Sequence, residues 1–204
     1  MKIDLDFIEI GTSDFDTLIE SSNDNTHGIS IDPVNIYLNK LPTKKNIIKL
    51  NCAISDIQGT AIVFYIKPEN ISKYSLPNWV RGCNSINKPH PTVVNLLKKQ
   101  NISYDDVVSK QKVNIMTLYD LYQKYNLRFV KYLKIDTEGH DCIILDKFYD
   151  DILKNNIMLP LKILFETNIL TDPVNVKNII TKYKTLGYIV VQNKGDTILE
   201  LPNK

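Results

Sequence analysis

The chain has 204 residues with 43% hydrophobic and 24% charged side chains, and its formal net charge at pH 7 is only +2. This length and composition predict a single globular domain, residues 1–204, with enough apolar side chains to form a core. Arginine occurs only at Arg81 and Arg128. Weak charge and scarce arginine argue against a nucleic-acid partner and against an acidic membrane surface.

The three cysteines, Cys52, Cys83 and Cys142, are far apart and form no CxxC pair. Their spacing therefore indicates neither a zinc motif nor a disulfide framework, and a reducing compartment is expected. The N-terminus has no signal-like apolar run, and no segment is long enough to span a membrane. We therefore expect a soluble cytoplasmic protein with no membrane partner.

Residues 4–33, DLDFIEIGTSDFDTLIESSNDNTHGISIDP, predict a strand, a polar turn, a helix and a second strand. The apolar run 5–10 is dense enough for a strand that is buried on both faces. The turn Gly11-Thr12-Ser13-Asp14 follows, and Ser13 or Asp14 can cap the next helix. Residues 27–31 predict the second strand, which ends at Asp32, and a helix is expected at 34–41.

A strand, a glycine turn and a helix start present free backbone N–H groups, and an acid roughly 20 residues further on can bind ribose hydroxyls. A pyrophosphate would require the pattern GxGxxG, whereas this turn has one glycine, and Glu9 and Asp14 would repel phosphates. S-adenosylmethionine (SAM) has a positive centre and no phosphate, so it suits the turn better than a dinucleotide. The alternative is an ordinary βαβ unit whose acids are solvated or cap helices.

Strand-like and helix-like segments alternate through the rest of the chain, as in a parallel sheet flanked by helices. Strands are predicted at 46–54, 60–66, 111–116, 129–135 and 161–165. Helices are predicted at 92–100, 117–125, 140–153 and 172–186. The last two segments, 188–192 and 197–201, flank the turn residues Asn-Lys-Gly-Asp and predict an antiparallel hairpin.

Residues 67–92 lack helical or strand periodicity, and they contain four prolines and the only tryptophan. Loops of this length in compact domains are usually functional lids or disordered segments. An aromatic, asparagine-rich loop that carries an arginine suits a polar substrate. We therefore expect a substrate-binding lid at 67–92, with contacts from Trp79, Arg81, Asn84 and His90. The alternative is a mobile insertion that Trp79 pins to the body of the protein.

Polar residues follow several predicted parallel strands at the point where each strand ends, at 9–14, 32, 51–53, 136–141 and 166–168. In open α/β sheets, ligands bind along the edge that the carboxyl ends of the strands form. Random placement would scatter the acids over both edges, so this convergence predicts a site. Glu166, at the end of the strand 161–165, is expected to contact the substrate.

Five blocks of the sequence resemble the FkbM family of SAM-dependent methyltransferases. They are FIEIGTSDF (7–15), GISIDP (28–33), NCAISDIQGT (51–60), MTLYDL (116–121) and, most specifically, YLKIDTEGHDCIIL (132–145). The resemblance implies an α/β, Rossmann-like class I methyltransferase fold with a mostly parallel seven-stranded sheet, a C-terminal antiparallel hairpin and helices on both faces. It also implies methyl transfer to a hydroxyl oxygen, with a small-molecule or glycan substrate such as a sugar.

Matched residue by residue, the resemblance implies a cofactor site along the strand ends. The residues expected beside the methionine end of SAM are Glu9, Gly11, Thr12 and Ser13. Asp32 is expected at the ribose, and those expected near the adenine are Asn51, Cys52 and Ala53. Asp136 and Glu138 are expected near the transferred methyl group.

This sequence departs from the family pattern in its first block, where Phe15 replaces the usual second glycine. Asp32 also stands where the family often has Glu. The chain begins almost at its first strand, so the N-terminal helices that cover SAM in many methyltransferases are missing from it. A second copy of the chain, in a homodimer, could supply that cover.

Transfer to a hydroxyl requires a base for the hydroxyl proton. Asp136, at a strand end, is the first candidate, and Glu138 is the second. His140 is a further candidate because a helix N-terminus favours its neutral, proton-accepting form. The same three residues could hold a divalent cation through waters, but they form no diagnostic motif, so no metal is expected.

Two other functions follow from the same features. The lost glycine and the missing N-terminal cover favour a non-catalytic binding module with a methyltransferase fold. A dinucleotide oxidoreductase would need more glycines in the first turn, so the sequence disfavours it.

Overall fold

The computed structural model describes residues 2–202, except for the side chains of residues 193 and 194. Its strands are β1 (Ile3–Ile10), β2 (Gly28–Ile31), β3 (Ile47–Leu50), β4 (Ala53–Ile54), β5 (Gly59–Ile66), β6 (Ser85–Ile86), β7 (Val108–Met116), β8 (Leu127–Ile135), β9 (Lys162–Glu166), β10 (Ile189–Lys194) and β11 (Asp196–Glu200). Its helices are α1 (Leu18–Ser21), α2 (Asn35–Leu38), α3 (Pro68–Lys73), α4 (Pro91–Lys99), α5 (Tyr104–Val107), α6 (Leu118–Lys124), α7 (Asp141–Asn155) and α8 (Pro173–Thr185). A 3-10 turn spans Asn78–Arg81.

The large sheet has the strand order β3-β2-β1-β8-β9-β11-β10. Its first five strands are parallel, and β11 runs antiparallel to both β9 and β10. The predicted α/β fold with a large, mostly parallel sheet is therefore confirmed. Ile10 pairs with Ile31 on one side and with Ile135 on the other. This register makes β1, β2 and β8 end at the same level, so the residues that follow these strands become neighbours.

Apolar side chains cover both faces of the large sheet. Successive residues of a strand point to opposite faces. Ile8 therefore packs into the main core, which contains Phe148 of α7. Phe7 packs on the other face with Ile19 and Leu38, from α1 and α2. Burial on both faces is what the apolar residues of the segment 5–10 predicted.

A second sheet, with the order β4-β7-β5-β6, was not anticipated. The segments 60–66 and 111–116 had been assigned to the parallel pattern, but β5 and β7 pair antiparallel in this second sheet. Along β5, Ala61, Val63 and Tyr65 are buried, whereas Ile62 is exposed. That alternation is typical of an antiparallel sheet with one solvated face. The predicted strand 46–54 also breaks at residues 51–52 and continues as β4 in the second sheet.

The segment 67–92 differs from the unstructured loop that its lack of periodicity predicted. It contains α3, the 3-10 turn and β6, and it leads into α4. Val80 and Leu97 belong to a small core that packs against the ends of β5 and β7 at Ile66 and Val108. Short elements of two to six residues are too brief to show a period in the sequence. Movement of this segment as a lid stays a prediction.

The first helix begins later than predicted. Ser13 and Asp14 do not cap it; Thr17 does, through a capping box with Glu20. Ser13 and Asp16 have left-handed backbone conformations, with φ of 47° and 55°. These conformations keep 11–16 as a turn instead of a helix.

Three other helix starts agree with the sequence. Thr117 and His140 are the N-caps of α6 and α7, and Asp172 caps α8 by accepting a hydrogen bond from the Val174 N–H at 2.8 Å. Across residues 2–202, no helix combines the length and the apolar character needed to cross a membrane.

Candidate functional site

Gly11 lies where β1, β2 and β8 end together. Its N–H donates to the Ile31 carbonyl at 2.9 Å, and the Asp136 N–H donates to the Ile10 carbonyl at 2.9 Å. Gly11 has φ +83°, and a Cβ placed on it would lie 1.8 Å from the Asp136 carbonyl oxygen. Only glycine can adopt this conformation and also allow so close a backbone approach.

Asp32 ties the turn after β1 to the end of β2. Its carboxylate oxygens accept hydrogen bonds from the Ser13 N–H and the Val34 N–H, both at 2.7 Å. The residue is only 2% exposed, and this burial raises the pKa of its carboxyl group to about 6. The Ser13 hydroxyl in turn donates to the Arg81 carbonyl at 2.9 Å. One buried acid therefore links the two strand ends, and Ser13 links them to the segment 78–84.

A first cavity of about 40 Å³ lies between the large sheet and the second sheet. This is below the range of roughly 300–1,000 Å³ that small-molecule sites occupy, so its walls would have to move apart to admit a ligand of that class. The predicted site residues that line it are Gly11, Ser13, Asp32, Cys52, Ala53, Asn84, Asp136 and His140. Apolar side chains of the second sheet, Ile54, Val63 and Ile86, form the facing wall.

A second cavity of about 360 Å³ opens at the same strand ends. The predicted residues on its lining are Gly11, Thr12, Ser13, Trp79, His90, Asp136, Glu138 and Glu166. Asp136 and Gly11 therefore line both cavities. Because the two cavities meet at Asp136, ligands bound in each would approach one another beside its carboxylate.

The acids around the second cavity are crowded. Burial, followed by the neighbouring Asp141 and Glu138 carboxylates, raises the pKa of Asp136 to about 7. Burial and the carboxylates of Glu138, Asp136 and Asp141 raise the pKa of Glu166 to about 9. Glu166 Oε1 accepts a hydrogen bond from the Asn168 amide, and its Oε2 is buried without a hydrogen-bond partner within residues 2–202. Both groups can therefore hold a proton near neutral pH.

Asp141 has a structural role, unlike Asp136. It is fully buried, and its carboxylate accepts hydrogen bonds from the Thr137 N–H at 2.9 Å and from the Glu166 N–H at 2.7 Å. These bonds join the turn after β8 to the end of β9. The carboxylate thereby holds Asp136 and Glu166 beside the same cavity.

The three predicted catalytic residues do not line either of these two cavities together, although Glu138 and His140 share a third cavity that Asp136 does not line. Glu138 lines the second cavity and not the first, whereas His140 lines the first and not the second. His140 Nε2 lies 3.0 Å from Ser55 Oγ, and burial lowers the pKa of its imidazole. Glu138 Oε2 lies 3.0 Å from His90 Nε2. Of the three, only Asp136 stands where the cavities join.

Glu9, Asn51 and Arg81 line neither cavity. Glu9 is 1% exposed; its Oε2 accepts a hydrogen bond from the Leu18 N–H and its Oε1 pairs with Lys134 Nζ, both at 2.9 Å. Its carboxylate thus fixes the start of α1. The Asn51 amide donates to the carbonyls of Asp32 and Pro33, both at 2.9 Å. These side chains support the strand ends without reaching the cavities.

Arg81 joins the segment 78–84 to the turn after β1. Its guanidinium lies 4.5 Å from the centre of the Phe15 ring, and its Nε lies 3.3 Å from Asp14 Oδ1. Phe15, which replaces the family's second glycine, also lines the second cavity. The Phe15 ring therefore gives the Arg81 guanidinium a surface to pack against, which a glycine could not offer.

The sequence assigned no individual role to several lining residues, although two of them, Thr137 and Asn168, lie in the polar stretches 136–141 and 166–168. Thr137 lines the first cavity, and Lys134, Cys83, Asn168 and Leu170 line the second. Lys134 and Thr137 lie inside the KIDTEG block, so their proximity to Asp136 was the available indication. Cys83 stood alone in the sequence, with no motif to indicate its neighbours.

The first cavity has the chemical features that SAM requires. Gly11 provides a backbone cradle that a side chain would fill, and Asp32 offers a buried carboxylate at the end of β2. The apolar wall at Cys52, Ala53 and Val63 suits a flat base. The Asp136 carboxylate lies on the side where a positive centre would be stabilised. These residues therefore fit the cofactor.

A model of the methyltransferase FkbM domain matches residues 9–167, which are 159 of the 204 residues. No curated protein and no solved structure matches the chain. The matched segment includes the last two residues of β1, all of β2 and β8, the strand ends at Gly11, Asp32 and Asp136, and the lining of both cavities up to Glu166. The chain therefore belongs to the FkbM methyltransferase family.

Proposed function

We propose that this protein is a SAM-dependent O-methyltransferase that methylates a hydroxyl group on a sugar or glycan. The observation that carries the proposal is the junction of two cavities at Asp136. One cavity has the features of a nucleoside site, and the other is rich in polar groups. The strand order β3-β2-β1-β8-β9-β11-β10 supports the finer fold assignment, a Rossmann-like class I methyltransferase sheet.

The first cavity is the proposed cofactor site. Asp32 would accept hydrogen bonds from ribose hydroxyls through its remaining lone pairs, and the wall around Ala53 and Val63 would hold the adenine. Gly11 would let the methionine portion approach the backbone. When bound, SAM supplies an electrophilic methyl group on a positively charged sulfur.

The second cavity is the proposed acceptor site. Asp136 would accept the proton of the acceptor hydroxyl, and a pKa raised toward neutrality suits a general base. Such a base contributes about 10²–10⁴ in rate. Holding the hydroxyl in line can contribute roughly 7–11 kcal/mol, which is the larger effect. The surrounding side chains therefore act chiefly by positioning the acceptor.

The lining of the second cavity supports a carbohydrate-like acceptor. Trp79 is 45% exposed and offers an aromatic face, while Thr92, Asn168 and Glu166 offer hydrogen-bonding groups around it. Sugars present apolar C–H faces together with hydroxyl groups, so they match a surface of both kinds. We also propose that residues 67–92 act as the lid of this acceptor site.

A pair of variants tests the division between the two cavities. Asp32→Ala should weaken SAM binding about 10- to 100-fold, because it removes a charged hydrogen-bond acceptor. Asp136→Asn should weaken SAM binding far less than Asp32→Ala does and reduce turnover about 100-fold or more. Calorimetry with SAM and transfer of labelled methyl groups to a panel of glycans and hydroxylated small molecules measure the two effects. Asp24→Asn, on an exposed turn, is the control.

Equal losses of binding and turnover in both variants would contradict the assigned roles. A product methylated at nitrogen or carbon would contradict O-methylation while leaving SAM dependence intact.

One observation favours a second candidate, a non-catalytic binding module. Both carboxylate oxygens of Asp32 already accept backbone hydrogen bonds, so part of their capacity to bind a ribose is used. Absence of SAM binding at millimolar concentration, with ligand binding retained in the second cavity, would favour this candidate over the enzyme.

A further inference from the structure

We propose that Cys83, His90 and Glu138 form a binding site for a zinc-class cation at the wall of the second cavity. The ligand atoms of these three side chains all lie within 4.8 Å of one another. Two come from the segment between β5 and α4, and the third comes from the turn after β8. The site is separate from the residues proposed to hold SAM, and it does not depend on methyl transfer.

The donor set determines which cation we expect. Zinc is bound in proteins by thiolate sulfur, imidazole nitrogen and carboxylate oxygen, and these are the three donors present. Magnesium and calcium take oxygen ligands instead, so a sulfur and a nitrogen among three donors disfavour them. The site would therefore select zinc, or cobalt as its spectroscopic substitute, over the alkaline-earth cations.

His90 is held in the geometry of a ligand. The residue is 4% exposed, and its Nε2 lies 3.0 Å from Glu138 Oε2, a separation that two ligands of one small cation can adopt. Its Nδ1 is buried and has no hydrogen-bond partner within residues 2–202. A buried imidazole with a single polar contact is unusual for a purely structural histidine.

Glu138 reaches this position through an unusual backbone conformation. Its φ is +54°, in the left-handed region, and the next residue, Gly139, has φ +93°. A non-glycine residue in this region costs about 1–2 kcal/mol, and such residues concentrate at functional sites. The turn places the Glu138 carboxylate beside the His90 imidazole. His140, two residues further on, lines the first cavity instead.

The charge of the second cavity also favours a cation. Asp136, Glu138 and Glu166 line it, whereas Lys134 is the one positively charged side chain among its described lining residues. A divalent cation at Cys83 and His90 would favour the ionised form of these crowded carboxyl groups. With three protein ligands, a tetrahedral zinc would keep a fourth position for water or an acceptor hydroxyl, as catalytic zinc sites do.

Cobalt titration of the full chain tests the proposal without SAM. The purified protein is stripped with a chelator, dialysed and titrated with Co²⁺, and metal content is measured after loading with Zn²⁺. We expect one metal per chain, a sulfur-to-cobalt charge-transfer band, and loss of that band when Zn²⁺ displaces Co²⁺. Cys83→Ser should abolish the band and weaken metal binding by about 100-fold.

Two further variants keep the test decisive. Glu138→Gln preserves the size of the side chain and should weaken binding while far-UV circular dichroism stays unchanged. Cys142→Ser removes a buried thiol outside the site and should leave the charge-transfer band intact. Absence of the band in the unaltered protein, or its persistence in Cys83→Ser, would overturn the proposal and leave His90 and Glu138 as an ion pair without metal.

Discussion

Gly11 shows how one residue can determine the geometry of the whole site. It is packed against the Asp136 backbone, and its conformation is left-handed. Gly11→Ala should lower the free energy of unfolding by roughly 2–5 kcal/mol, combining backbone strain with overpacking. Gly195→Ala is the matched control, because Gly195 also has positive φ (+75°) but open space around it. Urea unfolding measures the loss in free energy of unfolding for each variant. Equal losses would mean that positive φ accounts for the whole effect and that the close contact with Asp136 adds nothing.

Asp32 should make stability depend on pH in an unusual direction. Burial raises the pKa of this carboxyl from 3.8 to about 6 in the folded protein. Between these values the folded state holds a proton that the unfolded state has released, so stability falls as pH rises from about 4 to 6. The difference amounts to about 3 kcal/mol, since one pKa unit is worth about 1.36 kcal/mol.

Asp32→Asn should remove this dependence, so the variant should gain stability relative to the unaltered protein as pH rises from 4 to 6. Urea unfolding at several pH values measures that difference. Asp6→Asn is the opposite control: hydrogen bonds from the His27 N–H and from Lys131 lower the pKa of Asp6, so its contribution is lost as pH falls. A pH-independent difference for Asp32→Asn would contradict the assignment.

At the scale of elements, the sequence predicted features such as helix starts, which depend on residues close together in the chain. Thr117, His140 and Asp172 stand at the starts of α6, α7 and α8, as the helix ranges 117–125, 140–153 and 172–186 predicted, because a helix start depends on residues within one turn. The second sheet depends instead on pairing β5 with β7, which lies more than 40 residues further along the chain. No local pattern specifies such a partner, and the alternating burial of β5 is not visible in the sequence, because residues 61–66 are all apolar.

The segment 78–84 should depend on Arg81 for its attachment to the turn after β1. The guanidinium contacts both Phe15 and Asp14, so Arg81→Ala removes two contacts between the elements. Hydrogen exchange should become faster in residues 78–84 of this variant. Lys40→Ala is the matched control, because Lys40 pairs with the same Asp14 at 2.9 Å but lies just after α2. Equal acceleration of exchange in the two variants would mean that the ion pairs with Asp14 account for the whole effect. The contact between Arg81 and the Phe15 ring would then contribute nothing.

At the scale of the whole molecule, one wall of the site could be predicted from the sequence and the facing wall could not. Gly11, Asp32 and Asp136 could be grouped from the sequence, because parallel strands in register bring their carboxyl ends to one edge. The facing wall of Val63 and Ile86 comes from the second sheet, and Cys83 meets Glu138 across more than 50 residues. Long-range packing decides those contacts, so the sequence indicated where ligands bind but not what encloses them.

Because both sheets line the first cavity, a cofactor bound there should stabilise them together. S-adenosylhomocysteine at about 100 times its dissociation constant would add about 2.7 kcal/mol to the folded state. We expect slower hydrogen exchange at the turn after β1 and also in β5 and β6, which carry Val63 and Ile86.

Helix α8, which lines neither cavity, provides an internal comparison and should change less. Asp32→Ala at the same ligand concentration should lose much of the protection in both sheets together, since binding weakened 10- to 100-fold would leave only about 0.4–1.4 kcal/mol of the stabilisation. Protection confined to the turn after β1 would mean that the ligand contacts the large sheet alone. In that case the second sheet would form a wall of the cavity without contributing to cofactor affinity.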